Sequence, residues 1–117
     1  MRRFKVQDGE RVIEFEGHEL ASISSYEPGK SRWIELALYK TRAGTYVLTG
    51  CGRSIEDGEV DRHWVQLAAD PDGIIDRLYL FNDLGAKYIP HTSRKLITMA
   101  GLHDDAIREA FATERVA

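Results

Sequence analysis

Three carboxylates and a histidine alternate along one short stretch, and these side chains are the best suited to chemistry. They are Asp57, Glu59, Asp61 and His63. Residues two apart in an extended strand project from one side, so all four would face a common ligand. Carboxylates bind hard divalent cations, and a histidine extends the set to transition metals, which makes a metal-dependent hydrolase one hypothesis. Gly58 and the density of charge favour instead a solvated acidic loop.

The other reactive side chains do not form a catalytic pattern. His18, His91 and His103 have no serine, cysteine or carboxylate at a spacing diagnostic of nucleophilic catalysis, and His103 is predicted to cap the last helix. Cys51 is the single cysteine, which excludes an internal disulfide and any multi-cysteine metal site. We expect Cys51 to be a small buried residue. The sequence therefore favours a non-catalytic protein without a cofactor.

Aromatic and basic residues form the best candidate binding surface. Trp33, Tyr39 and Arg53 share one face of a predicted hairpin, and Arg32 and Lys40 stand near the strand ends. Aromatic and arginine side chains are enriched at interface hot spots, and the same types stack on single-stranded nucleic acid. The alternative is that another element covers this face and that both aromatic residues belong to the core.

The distribution of charge favours a protein partner over nucleic acid. The net charge is −3, which gives no general attraction to nucleic acid. Basic residues prevail between Lys30 and Arg53, and the acidic stretch from Glu56 to Asp61 is expected to neutralise them. The predicted function is protein binding or self-association. The alternative is a nucleic-acid-binding regulator that uses the basic hairpin or the C-terminal helices.

The candidate surface belongs to a β-hairpin predicted over residues 31–54. β-Branched and aromatic residues fill the runs 32–41 and 45–51, and Gly44 suits the left-handed position of a three-residue loop. This loop fixes the register, because side chains alternate along each strand. The predicted pairs are Lys40 with Tyr46, Leu38 with Leu48, Leu36 with Gly50 and Ile34 with Gly52 on the core face, and Tyr39 with Val47, Ala37 with Thr49, Glu35 with Cys51 and Trp33 with Arg53 on the other.

The remaining strands are predicted on both sides of this hairpin. Asp8-Gly9 is typical of two-residue hairpin turns, so a first hairpin is expected there. Gly17-His18 marks a break before a short strand or an extended segment at 19–26. The apolar stretch 63–69 predicts a last strand, with a helix as the alternative because of its alanines. The first hairpin is predicted to pair Phe4 with Ile13 and Val6 with Arg11.

Three helices are predicted after the strands. The first spans 71–84, with Asp70 as its cap and Pro71 at its first position. The second is capped by Thr92 or Ser93 and ends at Ala100. The third runs from about Asp104 to Glu114, with Asp104 paired to Arg108.

The order of elements predicts one α+β domain over residues 1–117. Residues 1–70 are mainly strands of an antiparallel sheet, built from two hairpins and one or two further strands, and 71–117 are helical. No apolar run is long enough to span a bilayer, and a cytoplasmic protein is expected. The residues predicted to be deeply buried are Leu36, Leu38, Leu48, Ile13, Phe15, Ile74 and Leu78.

The C-terminal stretch LITMAGLHDDAI, residues 96–107, resembles the helix-turn-helix of DNA-binding repressors. The resemblance lies in Leu96, the small turn Ala100-Gly101-Leu102 and Ile107. It implies that the glycine permits a tight turn and that the isoleucine seats the second helix. The chain departs from the DNA-binding pattern at Asp104, Asp105 and Glu109, which would face phosphates, so a plain helical hairpin is favoured over DNA binding.

A second resemblance covers the hairpin RWIELALYKTRAGTYVLTGCGRS together with the tail SRKLITMAGLHDDAIREAF. These stretches are similar to a group of small proteins from actinobacteria and their phages or integrated elements. The matching residues are the strand 32–41, Gly44-x-Tyr46-Val47 and the last two helices. The resemblance implies a mobile-element origin and no particular activity.

Overall fold

An antiparallel sheet followed by helices makes up residues 1–113, the part of the chain that our computed structural model describes. The strands are neighbours in chain order, so the sheet is a continuous meander. The α+β class with a mainly antiparallel sheet is confirmed. The five strands are β1 (Arg2–Asp8), β2 (Arg11–Ser24), β3 (Arg32–Thr41), β4 (Tyr46–Ser54) and β5 (Arg62–Ala68).

The central hairpin of β3 and β4 has the register predicted from its loop. All eight predicted cross-strand pairs are present, from Lys40 with Tyr46 to Trp33 with Arg53. Gly44 has φ of 91°, the left-handed conformation that a residue without Cβ adopts at low cost. The three-residue loop was therefore enough to fix this register.

The first hairpin is present, but its predicted register is wrong by two residues. The loop residues are Gly9 and Glu10, so Phe4 faces Phe15 and Val6 faces Ile13. Asp8 is not in the loop, because its carboxylate accepts the Arg11 guanidinium at 2.9 Å and the backbone N–H of Val65 at 3.2 Å. A shift of two residues keeps each side chain on its predicted face.

The predicted break at Gly17-His18 is wrong, because β2 continues through it. A Cβ at Gly17 would lie 2.2 Å from the carbonyl oxygen of Lys40, so the glycine permits close approach of β3. A β-bulge follows between Glu19 and Ala21. The bulge exchanges the two faces of β2 and places Ala21 on the side of the helices.

The sheet curls until its first strand reaches its last. The backbone N–H of Gly9 donates to the carbonyl oxygen of His63 at 2.8 Å. Val47 and Cys51 are buried although the helices pack on the opposite side, because β1 closes over them. We call the side inside the curl the inner face; it carries Phe4, Phe15, Tyr39, Val47 and Cys51. The other side is the helix face.

The main core lies between the helix face and the helices. Its sheet residues include Leu36, Leu38, Tyr46 and Leu48, and its helical residues include Ile74, Leu96, Ile97, Ala100 and Ile107. Leu78 joins this core from the turn that follows the first helix. Burial is confirmed for Leu36, Leu38, Leu48, Ile74 and Leu78. Ile13 and Phe15 are only half-buried, because they lie on the inner face at the rim of the curl.

The predicted helix 71–84 is wrong in its second half. Helix α1 (Pro71–Asp76) is followed by a two-stranded hairpin, β6 (Leu80–Phe81) and β7 (Lys87–Tyr88). Asn82 causes the change, because its side chain accepts the backbone N–H groups of Leu84 and Ala86 and closes a turn. The predicted cap is confirmed, since Asp70 accepts the N–H of Gly73 at 2.7 Å.

The last two helices are α2 (His91–Gly101) and α3 (Asp105–Ala112). The predicted cap at Thr92 or Ser93 is wrong, because Pro90 stands at the N-cap and makes no side-chain capping bond. His103 does not cap the last helix, since Asp104 does so. The predicted end at Glu114 lies outside the described residues. None of the helices within residues 1–113 has the length and apolar character needed to cross a bilayer.

The indole of Trp64 lies against Gly50 on the helix face. A Cβ at Gly50 would sit 2.0 Å from the indole, whereas one at Gly52 would meet its nearest atom at 3.9 Å. We therefore expect Gly50→Ala to lower the free energy of unfolding by about 1–3 kcal/mol through overpacking. Gly52→Ala is the matched control. Urea unfolding measures both, and equal stabilities would show that the indole is not fixed in this position.

Candidate functional site on the inner face

A row of polar side chains crosses four strands on the inner face. Ser24, Glu35, Cys51 and His63 are cross-strand neighbours in that order. The Sγ atom of Cys51 lies 3.8 Å from Nε2 of His63. The row lines a cleft of about 490 Å³, which the curl of the sheet encloses beside β1. This cleft is the candidate functional site.

Arg53 stands beside this row and is paired with carboxylates on both sides. Its guanidinium lies 3.7 Å from Glu35 and 3.5 Å from Asp61. Asp61 also accepts the backbone N–H of Ser54 at 3.2 Å. Three charged groups therefore stand together beside the polar row.

The electrostatics of the cleft do not activate the cysteine. Burial raises the pKa of the Cys51 thiol, and the opposing hydrogen bond with Arg53 is too weak to reverse that effect. The hydrogen bond with Cys51 raises the pKa of Arg53, and the negative charges of Glu35 and Asp61 raise it further. Reactive cysteines are thiolates with a lowered pKa, so Cys51 in this state is a poor nucleophile.

The acidic set predicted as a metal site is divided by the fold. Asp57 is exposed in the loop before β5, where Gly58 has φ of 80°. Glu59 binds Arg32 at 2.7 Å. Asp61 and His63 do come together, and their ligand atoms lie with that of Cys51 within 4.8 Å of one another. The structure thus joins half of the predicted set to a cysteine that the sequence did not single out.

Trp33 and Arg53 are adjacent, as the predicted binding surface required. The indole packs edge-to-face on Tyr26, with centroids 4.7 Å apart, and its N–H donates to Glu35 at 3.2 Å. Trp33 is half-buried near the start of β3, the central strand of the sheet. These two side chains remain a predicted binding pair.

Tyr39 belongs to a separate aromatic cluster. Its ring lies 4.8 Å from Phe4 and 5.3 Å from Phe15, centroid to centroid. Burial, followed by the charge of Glu19, raises the pKa of its hydroxyl. Tyr39 and Trp33 are six positions apart along β3, which is a distance of about 20 Å. The predicted surface is therefore two environments rather than one patch.

The basic residues of the central hairpin are neutralised within the fold, but the acidic stretch accounts for part of this. It pairs with Arg32 and Arg53, whereas Lys30, Lys40 and Arg42 pair with carboxylates elsewhere in the chain. Arg32 and Lys40 lie on the helix face, on the opposite side from Trp33. Each basic side chain has a carboxylate partner within 4.0 Å. The pairs are Lys30 with Glu27, Arg32 with Glu59, Lys40 with Asp104, Arg42 with Glu16, and Arg53 with Glu35 and Asp61.

Asp104 is a buried carboxylate that joins the last helix to the sheet. It accepts the N–H of Ile107 at 3.0 Å, the hydroxyl of Tyr46 at 2.9 Å and the ammonium of Lys40 at 3.2 Å. The predicted pair with Arg108 is wrong, because Arg108 binds Asp105. Burial alone would raise the pKa of Asp104, but its three hydrogen bonds together hold it below the usual range.

The sequence interpretation missed the small hairpin of β6 and β7. Four large apolar residues within nine positions are exposed there, namely Leu80, Phe81, Leu84 and Tyr88. The spacing of Ile74, Leu78 and Phe81 instead predicts one apolar stripe along the helix 71–84. The run Asn82-Asp83-Leu84-Gly85 is typical of a turn and was the available signal.

Comparison of the chain with protein-family models, with curated proteins and with solved structures found no match. The geometry of the molecule therefore carries the functional inference. The resemblance to small actinobacterial and phage proteins stays a prediction.

We expect Asp104→Asn to lower the free energy of unfolding by about 1.5–3 kcal/mol at pH 7. Asparagine keeps a capping oxygen but removes the charge that binds Lys40 and Tyr46. Because the folded pKa of Asp104 is depressed, its contribution is present above the unfolded value of about 3.9 and is lost as pH falls through the folded value.

The matched control is Asp105→Asn, which removes an exposed carboxylate from the same helical turn. It should change stability by less than about 0.5 kcal/mol. Thermal and urea unfolding between pH 2 and pH 7 measure the difference between each variant and the parent. If Asp104→Asn lowered the free energy of unfolding by the same amount at every pH, the ionised carboxylate of Asp104 would not be the source of the stabilisation.

Proposed function

We propose that the protein is a non-catalytic binding protein and that its small hairpin, residues 80–88, contacts a protein partner. The observation that carries this proposal is the exposure of apolar side chains on that hairpin. Leu84 is 93% exposed and Phe81 is 69% exposed. Burying one such side chain is worth about 1.5–3 kcal/mol, so a partner that covers both gains substantial binding free energy.

Anchoring of the hairpin supports this role. Lys87 binds Asp76 of α1 at 2.7 Å, and its ammonium lies 4.9 Å from the centre of the Tyr79 ring. The Asn82 side chain closes the turn with two hydrogen bonds to backbone N–H groups. These contacts join the hairpin to α1 and close its turn, and a surface held in place before binding loses less entropy in the complex.

A crevice beside the hairpin offers a place for a partner side chain. It has a volume of about 390 Å³ and lies between the helix face and the first residues of α2. Trp64, Leu80 and Pro90 line it. Interface hot spots are commonly large side chains that fill such pockets, so the crevice and the exposed hairpin form one candidate surface.

Two observations favour protein over nucleic acid as the partner. The basic residues of the central hairpin are all paired with carboxylates, which reduces their attraction to phosphates. The start of α3, which would enter the DNA groove in a helix-turn-helix, is bound to the sheet through Asp104. We also propose a mobile-element origin and a cytoplasmic location, and both are inferred from the sequence alone.

The test compares Phe81→Ser/Leu84→Ser with Ile55→Ser/Val60→Ser in affinity capture from the native host. Ile55 and Val60 are 71% and 80% exposed, so the control removes similar apolar groups from another loop. We expect the hairpin variant to bind its partner at least about 100-fold more weakly, since two buried side chains are lost. Both variants should keep their stability within about 0.5 kcal/mol.

Trp33→Ala distinguishes the hairpin from the inner face in the same assay. Loss of the partner from this variant, with retention by the hairpin variant, would move the binding surface to Trp33 and Arg53. Molar mass by size-exclusion chromatography with light scattering identifies self-association. A dimer that the hairpin substitutions dissociate would make the partner a second copy of the chain.

A further inference from the structure

Cys51, Asp61 and His63 form a compact group of metal-ligating side chains that the proposed function does not use. Cys51 and His63 face each other on β4 and β5, and Asp61 stands just before β5. One ligand atom from each residue lies within 4.8 Å of the other two. The group is on the inner face, whereas the small hairpin and its crevice border the helix face.

The spacing fits one ion with tetrahedral coordination. Zinc binds cysteine sulfur at about 2.3 Å and histidine nitrogen at about 2.0–2.1 Å, which places two such ligands about 3.5 Å apart. The observed distance between Sγ of Cys51 and Nε2 of His63 is 3.8 Å. A side-chain adjustment of a few tenths of an ångström would bring both atoms onto a common ion.

The chemistry of the three groups selects the class of metal. Thiolate and imidazole prefer zinc and similar transition metals, while magnesium and calcium prefer sites made wholly of oxygen. We propose that Cys51, Asp61 and His63 bind one divalent transition-metal ion of the zinc class, with the fourth position open to the cleft. Three protein ligands and an open position let a further ligand, such as water or a small anion, reach the ion.

The neighbouring groups are arranged to support the carboxylate ligand. Asp61 accepts the backbone N–H of Ser54 through Oδ1, and its Oδ2 lies 3.5 Å from the guanidinium of Arg53. The positive charge of Arg53 is offset by Glu35, 3.7 Å away. Outer groups of this kind commonly orient metal ligands. Arg53 and Ser54 would therefore position Asp61 without binding the ion.

The experiment is titration of the full chain with Co²⁺ and Zn²⁺, followed by absorption spectroscopy and calorimetry. We expect one ion per chain and, for Co²⁺, the charge-transfer absorption of a cobalt–thiolate bond. Cys51→Ala and His63→Gln should each weaken binding by at least about 100-fold, because losing an outer orienting group alone costs 10–100-fold. Asp57→Asn is the matched control and should bind as the parent does.

The spectrum of the parent protein keeps the test valid even where a variant fails to fold. Co²⁺ binding without thiolate absorption would overturn the proposal, as would the absence of stoichiometric binding at micromolar ion. The proposal would also be overturned if Asp57→Asn weakened metal binding as much as His63→Gln does, because the ion would then lie in the exposed acidic loop. Binding of Mg²⁺ with the affinity of Zn²⁺ would contradict the thiolate ligand.

Discussion

The buried carboxylate of Asp104 is the interaction on which the arrangement of the helices depends. Withdrawing a charge from water is costly unless it is paired and hydrogen-bonded. Asp104 meets that condition only when α3, β3 and β4 are assembled, because its partners are Ile107, Lys40 and Tyr46. Among residues 1–113, no buried side-chain nitrogen or oxygen is left without a hydrogen-bond partner. The carboxylate thus joins α3 to the helix face of the sheet.

This placement divides the surface into regions with different roles. The helices cover the face that carries Leu38 and Leu48, and they leave the inner face to be enclosed by the curl of the sheet. The polar row with Cys51 and His63 lies inside that curl. The connection between α1 and α2 enters the core at Leu78 and Ile89, while the apolar side chains of the small hairpin between them remain exposed. The core and the proposed binding surface therefore occupy separate parts of the molecule.

Local signals predicted the parts of the fold that local geometry determines. The three-residue loop at Gly44 fixed the central register, and Asp70 fixed the start of α1. The first hairpin was wrong because Asp8 is held by Val65, a contact between residues 57 positions apart. The helix over 71–84 was wrong because the spacing of Ile74, Leu78 and Phe81 suits a helix, while Asn82 closes a turn.

The candidate site could be predicted only in part for the same reason. The sequence placed Glu35 opposite Cys51 and paired Trp33 with Arg53, because both follow from the central register. The approach of His63 to Cys51 depends on the register between β4 and β5, which no short loop fixes. The sequence signal for that register is Gly50. The indole of Trp64 on β5 needs a residue without Cβ opposite it on β4.

The central claim, that the small hairpin contacts a protein partner, is tested most directly by photo-crosslinking in the native host. A photoreactive residue replaces Leu84 in one variant and Val60 in another, because both positions are highly exposed. We predict a specific adduct with one protein from position 84 and none from position 60. Equal adducts from the two positions, or none from position 84, would contradict the claim.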